Sequence, residues 1–165
     1  MPERWKSIPT FENYSISDWG NVRSERYDRY LKLSQNQNEV VYVGIVRDGI
    51  QYHRSVPLLV ARAFIEQPYP QYDTPINVNG DRWNNHISNL LWRPRWFTIR
   101  YHLQFKFPYE NPIIAPIEDV NTGEISENSF DCAVRYGLLE KDVVLSILNH
   151  THTWPTWQQF RILDI

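Results

Sequence analysis

Cysteine is nearly absent. Cys132 stands alone in 165 residues, which excludes an internal disulfide and a zinc site built from several thiolates, and fits a reducing interior. Within a helical pattern, such a lone cysteine reads as a small buried hydrophobe and not as a nucleophile. No apolar run approaches the ~20 residues that span a bilayer, and the N-terminus has no signal-peptide core. A basic excess is missing as well: 17 Lys and Arg face 19 Asp and Glu, for a net charge of -2 and a pI near 6.2. Composition therefore makes no global case for a nucleic-acid partner. The case has to be local. Between Arg82 and Lys106 there are five Lys or Arg and no acid, whereas Glu110 to Asp142 holds eight acids against Arg135 and Lys141. At 19.8 kDa the chain has room for one compact domain or two small modules.

What is present reads as short strands and short helices. Gly20 suits a tight turn between a strand through Tyr14 to Ser17 and another through Asn21 to Ser24. Tyr30 to Leu33 and Val40 to Val46 carry strand patterns, and Arg47-Asp48-Gly49 is a hairpin signal. Pro57 opens a helical pattern in which Leu58, Leu59, Ala61, Arg62 and Ile65 can share one side. Pro68, Pro70 and Pro75 stiffen the loop that follows. From Phe97 to Phe107, apolar residues alternate strictly with Thr98, Arg100, His102, Gln104 and Lys106, a period of two that predicts a long amphipathic strand. Such a strand either pairs within the protein's own sheet, or offers Phe97, Tyr101, Phe105 and Phe107 to a protein partner, or stacks on single-stranded nucleic acid beside Arg100 and Lys106. Beyond Pro108 and Pro112, Ile113 to Ile117 and Glu124 to Ile125 flank the turn Asn121-Thr122-Gly123 as a small hairpin. Ser129 then caps a helix through Cys132 and Tyr136, Gly137 stops it, and a second helix runs from Glu140 to about Leu148.

Two stretches carry more than local structure. The first, RWKSIPTFENYSISDWGNVRS over residues 4 to 24, holds Trp5, Lys6, Ile8, Phe11, Glu12, Tyr14, Ile16, Ser17, Gly20, Val22, Arg23 and Ser24 at the spacing of a small module, and it resembles the N-terminal module of phage and intron-encoded HNH homing endonucleases. The second, INVNGDRWNNHISNLLW from Ile76 to Trp92, resembles the ββα-metal hairpin of that family. The resemblance implies an antiparallel hairpin followed by a helix. It also implies a chemistry: a histidine accepts a proton from water, while an adjacent Asp and a helix-borne Asn or His hold a divalent metal at the scissile phosphate. Matched residue by residue, Asn77 falls at the Asp, Val78 at the His and Thr98 near the helix-borne ligand. Shifting the gap by one offers Asn79 or Gly80. Valine cannot accept a proton, and loss of a general base alone costs about 10²- to 10⁴-fold. The family's Val-His-Arg-Leu-Val-Ala at the preceding helix is also altered: Pro57 and Leu58 hold the His and Arg positions, with His53-Arg54 four residues earlier. Asn84, Asn85 and Asn89 read as staples of the loop.

The C-terminal part resembles the family's helix-turn-helix, although its second helix opens with Glu140-Lys141-Asp142, which would meet phosphates with two negative charges. His150, His152 and Trp154 read as packed or surface residues. These features predict an α+β fold with residues 1–107 as N-terminal module, hairpin core and aromatic strand, and 108–165 as the C-terminal module. The function expected is a catalytically inactive relative acting as a DNA-binding or accessory subunit, with duplex DNA met by Arg23, Arg26, Arg29, Arg82, Arg93, Arg95, Arg100 and Lys106. No cofactor or metal is expected on that reading. A second reading keeps an active endonuclease, with Mg²⁺ or another divalent cation near Asn77, Asn79, Asp81 and His86. A third is a protein-interaction module that uses the aromatic strand. The expected setting is the cytoplasm of a phage-infected bacterial host, with no membrane partner.

Overall fold

The computed structural model describes residues 2–163, and the chain divides into two compact units between His102 and Leu103. In the first unit, β1 (Trp5–Ile8), β2 (Phe11–Ser17), β3 (Val22–Ser24) and β4 (Arg29–Tyr30) form an antiparallel sheet in chain order. A second sheet contains β5 (Leu33–Gln35), β6 (Val41–Arg47) and β7 (Ile50–Ser55). Arg47 pairs with Ile50 across the two-residue turn Asp48-Gly49, whose φ values of 54° and 76° are those of a hairpin turn matched to strand twist. Val41, Val43 and Ile45 are fully buried at alternate positions of β6, the period-two signature of a sheet with one face inward.

Helix α1 (Val56–Phe64) begins where the Ser55 hydroxyl accepts from the Leu58 amide, with Pro57 in the first turn, where no N–H is needed. Its buried face is Val56, Val60 and Ala61, rotated from the expected one: Leu58 and Leu59 are half-buried and Arg62 is exposed. Ile8, Phe11, Ile16 and Val22 of the first sheet join Val41, Val43, Ile45, Val56, Val60 and Leu90 in one apolar cluster. Each large member contributes about 1.5–3 kcal/mol by leaving water. Against it lies the hairpin of β8 (Thr74–Asn77) and β9 (Leu90–Arg93), paired Thr74 to Arg93 through Asn77 to Leu90, with a 3-10 turn over Ile87–Asn89.

The predicted aromatic strand is a helix, α2 (Arg95–Lys106). The Pro94 carbonyl starts it, accepting from the Phe97 and Thr98 amides and from the Thr98 hydroxyl. The inward residues are Phe97, Thr98 and Tyr101, at helical spacing, whereas Ile99 and Leu103 of the alternating set face solvent. The alternation coincided with a helix because every second residue is apolar, whichever face is buried. A lone strand would leave its N–H and C=O groups unpaired, while a helix satisfies them internally. Arg, Leu, Gln and Lys also favour that outcome.

In the second unit, β10 (Ile117–Asp119) lies between β11 (Ile125–Ser126) and β12 (Phe160–Ile162), and α3 (Ser129–Tyr136) and α4 (Glu140–Leu148) follow β11. Ile117, Cys132, Ala133, Leu138, Val143, Ile147 and Phe160 form the core. The first strand starts at Ile117 and not at Ile113, and β12 had no sequence signal strong enough to predict it. Asn128, not Ser129, caps α3, its side-chain oxygen accepting from the Asp131 amide at 2.9 Å. Ser129 is buried and serves elsewhere: its hydroxyl donates to the Glu140 carboxylate at 2.7 Å and accepts from the Ile113 amide. Gly137 ends α3 at φ 67°, as its type suggests. His150, His152 and Trp154 are exposed.

Candidate functional site

The hairpin's loop is a web of asparagines. Asn77, at the end of β8, is fully buried, and its amide Nδ2 donates to the Asn84 carbonyl and to Asn85 Oδ1, both at 3.0 Å. Asn85 in turn donates to the Arg82 carbonyl at 3.2 Å. Asn89 Oδ1 accepts from the Asn79 amide, and its Nδ2 donates to Asn79 Oδ1 and to the Asn84 carbonyl. Buried amides need such partners, since an unpaired one costs ~1–3 kcal/mol. Asn85 and Asn89 are thus the side-chain staples expected, whereas Asn84 serves these bonds through its main-chain carbonyl and its Oδ1 accepts from the His86 amide at 3.4 Å.

The turn of the first sheet docks on this loop. The Asp18 carbonyl accepts from the Ile87 amide at 2.8 Å, and Trp19 meets the His86 ring edge-on at 5.0 Å. A Cβ on Gly20, whose φ is +87°, would fall 2.8 Å from Cβ of Asn85. Glycine is needed there twice over, for its backbone and for the close approach. Burial pushes the Asp18 carboxyl up, but hydrogen bonds from the Arg4 side chain at 2.7 Å and backbone at 3.0 Å outweigh it and leave the group below its usual range.

Val78, which the resemblance matches to the base, offers only its backbone: its amide donates to the Asn89 carbonyl and its carbonyl accepts from the Tyr101 hydroxyl at 2.7 Å. The fallback pair does not assemble a site. Asp81 is exposed, and Oδ1 accepts from the Trp83 amide at 2.9 Å as an ordinary turn bond. His86 caps the 3-10 turn, with Nδ1 against the Ser88 hydroxyl at 2.7 Å. Among the described residues no three His, Cys, Asp or Glu side chains come together.

Thr98 is buried, and its hydroxyl donates to the Pro94 carbonyl at 3.2 Å. The helix residue at Asn77 is His102, one turn later, which sequence reasoning passed over. Its Nε2 accepts from the Asn77 amide at 3.3 Å. Arg82 Nη1 lies 2.6 Å from Nε2 and 3.3 Å from Asn77 Oδ1, and Arg82 Nε donates to the Glu39 carbonyl at 3.3 Å. Nη1 also lies 2.8 Å from Nδ1, so the guanidinium sits against both nitrogens of a ring that is neutral beside it. Burial, and then the Arg82 charge, bring the His102 pKa down to about 3. Burial also lowers Arg82 from its usual value. The signal for His102 was its spacing of four from Thr98, meaningful only once 95–106 is a helix.

These residues do not fit a divalent metal. At Asn77 the pocket presents two acceptor oxygens that require an amide donor, so a carboxylate would face like dipoles. A guanidinium already holds the acceptors of Asn77 and His102. Two positive charges brought within about 4 Å of it would be repelled by roughly 8 kcal/mol at an effective dielectric near 20.

The arginines separate into two groups. Arg82 is turned inward. Arg93 is half-buried, donates to the Trp92 carbonyl at 2.8 Å, and is lowered by burial. Arg23 pairs with Glu25 at 3.0 Å and covers the Trp5 ring. Arg26 and Arg29 are exposed on either side of the Tyr27 residue, each 5.4 Å from its ring centre, and line a cavity of about 690 Å³ with Arg47. Arg95, Arg100 and Lys106 are exposed on α2. Of the residues expected to meet a protein partner, Phe97 and Tyr101 are buried, Phe105 packs edge-on to Phe130 at 6.1 Å, and Phe107 is exposed. No helix among the described residues is long and apolar enough to cross a membrane.

Residues 3–46 match the NUMOD4 motif. Two HNH endonucleases of Acanthamoeba polyphaga mimivirus, both described as uncharacterized, are 32% identical over 92 residues and 31% identical over 93. The matches cover 56% and 54% of this chain but 27% and 23% of theirs, so the chain spans about a quarter of the length of these relatives. The fold resembles that in a structure described as DNA binding and cleavage by the HNH homing endonuclease I-HmuI, at a TM-score of 0.55 and 22% identity, covering 98% of this chain and 99% of that one.

Proposed function

We propose that this chain, which belongs to the HNH homing endonuclease-like family, binds duplex DNA and does not cut it. The observation that carries the reading is the end of β8, where Val78, the residue that the resemblance matches to the family's proton acceptor, has no group to accept a proton and its backbone is spent on Asn89 and Tyr101. A scaffold that keeps its shape without a base keeps its binding geometry and loses its rate. Contact with phosphates falls to the exposed cations Arg26, Arg29, Arg95, Arg100 and Lys106. Glu140, at the start of the second C-terminal helix, is held by Ser129, so that helix-turn-helix serves less to read bases than to position the module. The viral relatives support a role in an infected cell, as a regulator or accessory subunit of a nucleic-acid machine.

Retention of labelled duplex DNA over a salt series, with supercoiled plasmid and Mg²⁺ or Mn²⁺ in parallel, tests this. Binding should weaken steeply with salt while the plasmid stays closed. The double variant Arg26→Ala/Arg29→Ala should flatten the logarithmic slope by about 1–2. Metal-dependent nicking lost in Asp81→Ala or His86→Ala would establish the endonuclease instead.

A further inference from the structure

We infer that Arg82 is the cation of the hairpin-helix unit, a guanidinium standing where the fold otherwise invites a metal ion. Two separate elements meet a single nitrogen, Nη1 of Arg82: Asn77 Oδ1 on β8 at 3.3 Å, and the His102 ring on α2, whose Nε2 and Nδ1 lie 2.6 Å and 2.8 Å away. The same group reaches a third element through Nε and the Glu39 carbonyl. A side chain that ties strand end, helix and an upstream loop to one positive charge does what a coordinated ion does. It does so without a free ligand. The planar fork suits the role: its donors leave at fixed angles, so one guanidinium serves acceptors on different sides, which an ammonium cannot do.

Three details make the site specific for guanidinium. Asn77 is oriented by two donated bonds, so its oxygen, not its nitrogen, faces Arg82. The Asn77 backbone amide donates to His102 Nε2 and so holds the neutral ring at the strand end, where the guanidinium lies against it. The carboxylate of Glu39 supports the buried charge. The unit is therefore closed by its own covalently attached cation and is independent of divalent ions. This claim concerns how the fold is held, and it stands whether or not the protein binds DNA.

Chemical rescue decides it. The full chain is melted as wild type, Arg82→Ala and Arg82→Lys, each with EDTA, with MnCl2 and with methylguanidinium at about 10 mM, a concentration far below the denaturing range of that ion. Wild type should melt at the same temperature in EDTA and MnCl2, within ~1 °C. Arg82→Ala should melt roughly 4–10 °C lower, and Arg82→Lys in between. Methylguanidinium should restore half or more of the loss in Arg82→Ala, and MnCl2 none. If Arg82→Ala proves too unstable to melt, the same rescue is read on Arg82→Lys. Recovery by Mn²⁺ without recovery by methylguanidinium, a wild-type midpoint that falls in EDTA, or an Arg82→Ala midpoint equal to wild type would each overturn the assignment.

Discussion

The hairpin of the first unit and the core of the second are built from opposite materials. At the hairpin the fully enclosed residues include Asn77, Asn85 and Asn89, and the contacts between elements are amide to amide, amide to guanidinium and hydroxyl to carbonyl. In the second unit the core cluster is Ile117, Leu138, Val143 and Phe160 with Ala133 and Ile147, around a buried Cys132 whose thiol burial pushes up to about 12. Apolar packing tolerates exchange among residues of similar volume. A buried polar network does not, because each group's orientation is set by the next one's donor or acceptor. The difference teaches where a single substitution is felt: a changed residue in the apolar core can be absorbed by its neighbours, whereas Asn77 bonds Asn84, Asn85 and Arg82 at once, so replacing it disturbs several partners.

The largest effect should come from the apolar side. Ile117 sits in the middle strand of its sheet and is fully buried, so Ile117→Ala should cost about 2–5 kcal/mol. Hydrogen exchange is the appropriate measurement, because local opening is read amide by amide. Amides of β10, β12 and α3 should exchange at least about 30-fold faster, the factor that the lower bound of ~2 kcal/mol implies. A change below that in these strands would mean that the second unit is not held by its apolar core.

The next effect belongs to the polar side and depends on pH. His102 has a pKa of about 3 in the folded chain, against about 6.5 when unfolded. Between these values the unfolded chain binds more protons, so stability rises with pH across the window and is lost as pH falls from about 6.5 toward 3. Above the window the histidine is neutral in both states and stability has no His102 dependence. Melting wild type and His102→Gln from pH 7.5 to pH 4.5 separates this from the carboxylates, which both chains share. The wild-type midpoint should fall further than the variant's. Equal falls would show that the ring beside Arg82 already titrates as it does in water.

How much of this was legible in the sequence follows the same division. The first sheet, the Asp48-Gly49 hairpin and the Gly137 stop were readable because glycine at positive φ and period-two apolar patterns act locally. The resemblance in residues 76–92 located the hairpin of β8 and β9. Helix α2 was misread because its alternating residues satisfy a strand template as well as they satisfy anything. What decided it was the tertiary demand at Phe97, Thr98 and Tyr101, which no window of sequence contains. That error hid His102 and put Thr98 in its place. Arg82 and Arg93, expected to meet DNA, are half-buried, which the sequence did not reveal. Charge is visible in a sequence, but the direction in which a side chain turns is not.

The smallest effect is the sharpest test of that corrected helix. Tyr101 is almost fully enclosed and its hydroxyl reaches the carbonyl of Val78, so one bond joins α2 to the strand end where the base would stand. Tyr101→Phe keeps the ring, its packing against Phe97 at 5.7 Å and the helix itself, and removes only the donor. The loss should be about 0.5–1.5 kcal/mol for the bond, toward the upper end because the Val78 carbonyl is left short of a partner. Phenylalanine at an exposed strand position, by contrast, would leave the melting midpoint unchanged. A midpoint lowered by roughly 2–4 °C, with the His102 ring signal shifted in the same variant, would tie α2 to the hairpin through this bond. An unchanged midpoint would return residues 95–106 to the surface.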